Sequence, residues 1–322
     1  MMAGLLAAGM LALIIALLLG ALIINLLTNL NLGQTIREDG PPNHLQKEGL
    51  PTMGGIIILL ALVLALLFTT SLTENLLWLF LVTLGFGLIG LLDDLIKILE
   101  ERSLGLKAWQ KLCGQLLLAL LISFHVAGLP GGDTLRLPFT AHTLELGYLY
   151  LPFAILVVVG TANAVNLTDG LDGLAAGITV LVSLGFTIIS VLIGVYDLAI
   201  FSISLAGACL GFLWYNGYPA KVIMGDTGSL ALGGALAGLA LLSKTELFLF
   251  IMGGVFVLET LSVIIQVISF RSTGKRVFAM SPIHHHFELV GWKEPKIVIR
   301  FFIFSCLLLF LGLLGMVLHL QY

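Results

Sequence analysis

The chain has 322 residues, of which 59% are hydrophobic and 10% charged, with a formal charge of −3 and a mean hydropathy of +1.12. An ordinary soluble domain carries about 25% charged residues, so a water-soluble globule is excluded. No basic patch interleaved with aromatics offers a nucleic-acid surface, and Cys113, Cys209 and Cys306 lie inside apolar runs without metal-ligand spacing, so they read as buried small hydrophobes.

Hydrocarbon cannot satisfy backbone polar groups, so stretches of about 20 apolar residues read as membrane helices. In chain order they fall near 1–32, 53–72, 76–95, 108–128, 150–166, 174–194, 198–215, 229–243, 246–270 and 297–319. The first lacks the charged start of a cleaved leader and is longer than a leader's apolar core, which predicts a tilted membrane helix. Between the fourth and fifth spans, residues 129–150 alternate apolar and polar side chains in LRLPF and TLELGYLY; this predicts a short outer β-hairpin, with an irregular loop as the alternative. Spans and short loops use nearly the whole chain. The expectation is a single all-α polytopic membrane domain, 1–322, of about ten transmembrane helices.

Cytoplasmic loops retain Lys and Arg. One set of alternate loops and adjoining span ends holds Arg37, Lys47, Lys97, Arg102, Lys107, Lys111, Lys221, Arg271, Lys275, Arg276, Lys293, Lys296 and Arg300, whereas the other holds Arg136 and Lys244. This asymmetry predicts both termini outside and the basic loops in the cytoplasm.

Five polar stations fall on that cytoplasmic side: KEGLPTMGG (47–55), the adjacent Asp93 and Asp94, NAVNLTDGLDG (163–173), NGYPAKVIMGDTGS (216–229) and PIHHHFE (282–288). They contain Asp93, Asp94, Asp169, Asp172 and Asp226, five of the chain's eight aspartates. One helix-end Asp alone is more often a solvated cap; several converging on one membrane surface suit Mg2+, which takes one or two carboxylates plus phosphate oxygens and water. Asp169 and Asp172 share a face if their segment is helical, with Asn163 and Asn166 one turn earlier, a stripe able to bind a base or ribose; Thr168 and Asp169 capping the next helix is the other reading. Gly225 and Gly228 flank Asp226 at the start of a span, where backbone N–H groups can approach a phosphate. The internal run His284, His285 and His286 lacks further zinc ligands and suits contacts to a diphosphate. Within the ninth span, Gln266 lies near the cytoplasmic end, and the deeper Glu259 reads as bonding a neighbouring helix. Gly253 and Gly254 either bend that span or let helices pack closely. An ion-coupled transporter would place its functional groups near the midplane; here Glu259 is the exception to a gathering at one surface.

PTMGG, GLLDD, NAVNLTDGLDGLA, NGYPAKVIMGDTGSLALGG and MSPIHHHFE, met in this order between about Arg37 and Arg300, closely resemble the bacterial phospho-N-acetylmuramoyl-pentapeptide-transferases of peptidoglycan synthesis. The resemblance implies a ten-span enzyme of the bacterial plasma membrane, often a homodimer, with a cytoplasmic Mg2+ site. Its reaction would be transfer of phospho-N-acetylmuramoyl-pentapeptide from the UDP-linked donor to undecaprenyl phosphate, giving lipid I and UMP. By motif it implies Asp93, Asp94 and Asp226 as catalytic aspartates, Asp226 as the metal ligand, and His284, His285 and His286 near the phosphates and sugar, His284 as a catalytic residue and the other two as substrate-binding. Lys47, Thr52, Lys111, Asn166, Asp169, Asp172, Asn216 and Gln266 match positions lining the donor pocket or its extension. One departure stands out: many members carry an aromatic where this chain has Ile223, which can cover a uracil by dispersion but has no aromatic face.

Overall fold

The computed structural model describes residues 2–30, 32–33, 49–100, 102 and 104–321. Helices α1 (Met2–Asn29), α2 (Gly55–Thr69), α3 (Glu74–Leu99) and α4 (Ala108–Ala127) come first. Strands β1 (Thr134–Arg136) and β2 (Thr143–Glu145) follow, then α5 (Tyr150–Thr168), α6 (Leu174–Leu192), α7 (Tyr196–Asn216) and α8 (Gly225–Leu242). The chain closes with α9 (Glu246–Met252), α10 (Gly254–Thr273), α11 (Ile283–Leu289) and α12 (Glu294–Gln321). Among the described residues nine helices are long and apolar enough to cross a membrane, and α2 is a shorter apolar one. The chain is a multi-pass, all-α membrane protein whose described residues include one two-stranded sheet.

Burial separates the centre of the bundle from its lipid-facing rim. In α8, 83% of the most apolar stretch is buried, against 22% in α1 and α12. The sequence GDTGSLALGGALAGLALL explains why: with almost no side chain on Gly233 and Gly234, Ala162 of α5 and Phe86 of α3 pack directly onto the α8 backbone. Close packing of small residues replaces a hydrophobic driving force that lipid does not provide. Cys209 is buried as expected, but Cys113 lies exposed on the α4 surface and Cys306 is half-buried; in a membrane an outward Cys costs no more than an outward Leu.

The ninth span departs from the single helix expected over 246–270. It breaks at Gly253 (φ −88°, ψ 18°) into α9 and α10, so the glycine pair bends the chain; Gly254 also packs against Leu308 of α12. At the same end of the bundle lies the anticipated hairpin, β1 pairing antiparallel with β2 in the register Thr134–Glu145, Leu135–Leu144 and Arg136–Thr143. The loop between the strands docks on α12, where Phe139 N–H donates to Gly315 O (3.1 Å) and Thr140 O lies 2.6 Å from His319 Nδ1. Nearby, Tyr150 donates to the buried Glu246 (2.6 Å) and Lys244 stands 4.0 Å over the Tyr150 ring.

Also on this end, Asp197 accepts from Thr73 Oγ1 (2.8 Å), Asn75 Nδ2 (3.0 Å) and its own helix's Leu198 N–H (2.8 Å), tying the start of α7 to the start of α3. Asp197→Asn should leave catalysis unchanged yet lower stability by about 1 kcal/mol, because an amide N–H would face donors that now find an oxygen. Thermal unfolding in detergent beside an activity assay checks both halves; a fall in turnover would make this end part of the working site.

Candidate active site

The opposite ends of α3, α5, α7 and α8 converge, and there the charged residues meet. Asp93 and Asp94 lie on the last two turns of α3, Asp226 is the second residue of α8, and one oxygen from each lies within 4.8 Å of the others. The approach depends on Gly90, three residues before Asp93 and so on the same face: a Cβ there would sit 2.1 Å from the Asp226 carbonyl oxygen. Gly225, at φ +72°, starts α8 with a backbone turn that other residues rarely adopt, and its own Cβ would fall 2.5 Å from Asp94 Oδ2.

The helix N-terminus at Gly225 is already occupied by an anion. Asp94 accepts from Asp226 N–H (3.2 Å), Thr227 N–H (2.9 Å) and Thr227 Oγ1 (2.8 Å), so the amides expected to approach a phosphate hold an internal carboxylate. Asp94 is thereby spent on docking α8 to α3. Asp93 is anchored on one oxygen by Leu106 N–H (2.9 Å), while its other oxygen faces the cluster and lies 2.7 Å from Lys97 Nζ. Asp226 accepts from Asn166 Nδ2 on Oδ1 (2.8 Å) and from Lys111 on Oδ2, which also lies 3.1 Å from Lys97 Nζ. Asn166 in turn donates to Ser229 Oγ (2.8 Å), and one turn earlier Asn163 donates to Gln115 Oε1 (2.8 Å), joining α5 to α4.

Around the aspartates, loops are zipped backbone to backbone. Ile223 N–H donates to Pro51 O (2.8 Å), Gly54 N–H to Ile223 O (2.9 Å) and Gly55 N–H to Met224 O (2.9 Å), so PTMGG and VIMGD lie side by side with buried Thr52 beside Gly225. Asn216 accepts from Gly173 N–H (3.0 Å) and donates to Val222 O (2.9 Å). Asp172 accepts from Ala220 N–H (2.9 Å), and its own N–H donates to Glu294 (2.6 Å). Residues 169–173 form a turn between α5 and α6, not the helical stripe expected for Asp169 and Asp172, because α5 ends at Thr168. Nor do Thr168 and Asp169 cap the next helix: Thr168 bonds back to Ala164 O (2.8 Å), and the cap of α6 is Gly173 at φ 77°.

The three histidines have three different settings. His284 is fully buried, with Nδ1 3.1 Å from Glu259 Oε2 and its ring against Gly170, so Glu259 does meet a neighbouring helix, α11. His285 Nδ1 lies 2.7 Å from Glu288 Oε2, and His286 Nδ1 accepts from Ala279 N–H (3.2 Å). Gln266 accepts from Val277 and Phe278 N–H (2.9 and 3.0 Å) and donates to Phe278 O (2.9 Å), which closes its own loop instead of reaching the aspartates.

The structure therefore brings Asp93, Asp94, Asp226, Lys111, Asn166, Thr52 and Gly225 together. Asp172, through Ala220, and Asn216, through Gly173 and Val222, tie down the neighbouring loops, and His284 packs on Gly170 beside Asp169; His285 and His286 bond within their own segment, and Lys47 lies outside the described residues. Sequence reasoning used Lys97 only to orient the chain. Its spacing, four residues after Asp93 and three after Asp94 on one helical face, is the signal that identifies it as a site residue. Three clustered carboxylates are hard oxygen donors, a set that fits a divalent cation of the Mg2+ type.

Comparison with known proteins gives the chain's relatives. The sequence model of Glycosyl transferase family 4 matches residues 76–244, which include the three aspartates and both lysines. Proteins named phospho-N-acetylmuramoyl-pentapeptide-transferase are similar over nearly the whole chain. That of Heliobacterium modesticaldum is 53% identical over 302 residues, covering 93% of this chain and 94% of its own. Those of Desulfitobacterium hafniense and a Geobacillus species are 52% and 51% identical, covering 96% and 94% of this chain and 96% and 95% of their own.

Proposed function

Because the chain belongs to the phospho-N-acetylmuramoyl-pentapeptide-transferases, glycosyl-1-phosphate transferases of the Glycosyl transferase family 4 group, we propose that it performs the membrane step these enzymes are named for. The donor is UDP-N-acetylmuramoyl-pentapeptide, the acceptor undecaprenyl phosphate, and the products lipid I and UMP. The site faces the cytoplasm across the bacterial plasma membrane, and the enzyme acts as a homodimer with Mg2+. The observation that supports this reading best is the convergence of Asp93, Asp94 and Asp226 with Lys97 and Lys111 at one end of the bundle.

Phosphoryl transfer is mainly positioning and charge neutralisation. Asp226, with Asp93 beside it, would hold Mg2+, and a bound ion would supply neutralisation of charge on the diphosphate and the departing UMP. Asp93 takes the reactive role, since one of its oxygens is free of backbone bonds and faces the cluster, whereas both oxygens of Asp94 are engaged by α8. It either removes the acceptor phosphate's proton so that this phosphate attacks the donor's sugar-side phosphorus and expels UMP, or itself attacks that phosphorus, expelling UMP and forming a covalent phospho-sugar enzyme from which the acceptor phosphate then displaces the carboxylate. Lys111 and Asn166 orient Asp226 from opposite sides. The donor pocket runs from this cluster along Thr52, Gly225, Asn216, Asp172, Asp169 and the histidines, with Lys47 and Gln266 at its margins and Ile223 covering the uracil.

Purified protein mixed with undecaprenyl phosphate should release UMP from the muramoyl-pentapeptide donor in a Mg2+-dependent manner. UMP release from UDP-N-acetylglucosamine alone would reassign the donor, and release undiminished by metal chelation would remove Mg2+. Exchange of labelled UMP into donor without acceptor distinguishes the covalent route, whose absence in active enzyme favours direct attack. Chemical cross-linking in native membranes tests the dimer.

A further inference from the structure

The acidic cluster already contains a cation of its own. Lys97 Nζ lies 2.7 Å from Asp93 Oδ2, 3.1 Å from Asp226 Oδ2 and 3.5 Å from Asp94 Oδ1, contacting one oxygen of each carboxylate that could hold a metal. Helical side chains lean toward the N-terminus, so a lysine one turn after an Asp pair lays its ammonium back over them. Lys111 approaches Asp226 separately and is 4.0 Å from Asp93.

We infer that Lys97 is a resident counter-cation whose ammonium and a divalent metal occupy the cluster in alternation. This deepens the transferase reading on which it rests. Formal charge explains the exchange. Three carboxylates balance one divalent cation plus Lys111, whereas keeping Lys97 as well would leave an excess positive charge among closely spaced groups. The side chains also differ in freedom: Lys97 is 29% exposed and can swing toward solvent, while Asp93 and Asp94, at 4% and 3%, stay in place. An arriving diphosphate offers the displaced ammonium a new anionic partner. Binding of metal and of an anionic donor is then linked through Lys97, with each favouring the other.

Mn2+ titration of the purified full chain, read by electron paramagnetic resonance without nucleotide, tests this. Lys97→Met should bind Mn2+ about tenfold more tightly than wild type or better, because removing a unit charge at contact distance removes the competitor. Lys97→Arg, which keeps the charge, and Lys293→Met, an exposed lysine elsewhere, should show no gain. The gain should disappear when Lys97→Met is combined with Asp226→Asn. Mn2+ binding in Lys97→Met that is equal to or weaker than wild type overturns the inference, as does absence of binding in both. If Lys97→Met does not remain monodisperse, Lys97→Gln carries the same measurement. UMP release by wild type is scored separately, so failure of the transferase reading leaves the Mn2+ comparison intact.

Discussion

Asp226→Asn should lower UMP release on the order of a hundredfold or more at ordinary Mg2+ while the protein still folds, since a metal at a transferring phosphate supplies several kcal/mol of charge stabilisation. Two features of the geometry make the loss large. Asp226 is the one aspartate of the cluster held entirely by side chains of other helices, Asn166 on one oxygen and Lys97 and Lys111 on the other. An amide NH2 in either place points a donor at donors and weakens a hard ligand. Folding survives because α8 is docked through the backbone N–H of residue 226 and the Thr227 groups, all bonded to Asp94. Steady-state UMP release over a Mg2+ series, with elution profile and thermal unfolding beside it, reads both parts. Near-normal turnover would remove Asp226 from the metal site.

Gly90→Ala should be nearly as damaging without touching a charged group. The added methyl would meet the Asp226 carbonyl oxygen at 2.1 Å and its carbon at 2.3 Å, and backbone cannot rotate out of the way as a side chain can. Helices α3 and α8 must therefore separate, which costs about 1 to 3 kcal/mol of overpacking. Because Asp93 and Asp94 ride on α3 and Asp226 on α8, a shift of about 1 Å opens the cluster and lowers turnover by roughly a hundredfold. Gly160→Ala is the matched control, since nothing lies within 4 Å of a Cβ there. Equal activity of the two alanine variants would mean that this helix contact does not set the spacing of the aspartates.

Lys97 and Glu259 show how far the chain could be read before folding. The i+3 and i+4 relation of Lys97 to the Asp pair is a local property, so the ion pairs were available to inspection. Glu259 was legible as a polar intruder in an apolar helix, but its partner, His284, lies 25 residues away, beyond the rest of α10 and the loop that leads into α11. Gln266 went the other way: its position suggested reach toward the site, and the fold engages both its amide oxygen and its amide nitrogen with the Val277–Phe278 backbone. Asp169 and Asp172 do not share the helical face their spacing suggested, because α5 stops at Thr168 and the two lie in the turn that follows.

Hydropathy and residue order alone determined that this chain is a bundle of membrane helices with its acidic stations at one end, and pointed to the family; between α4 and α5 they left a hairpin and an irregular loop open, and the structure has the hairpin. Those properties follow from local composition and from the rule that backbone in lipid must satisfy itself within a helix. Only the tertiary structure decided how the three aspartates are held: Asp94 docks α8, Asp93 turns one oxygen from the Leu106 amide toward Lys97 and the cluster, and Asp226 stands between two lysines. Identical carboxylates differ only in which donors and charges reach them. Here those donors come from α4, α5 and α8 across gaps of up to 133 residues, a distance no local pattern spans.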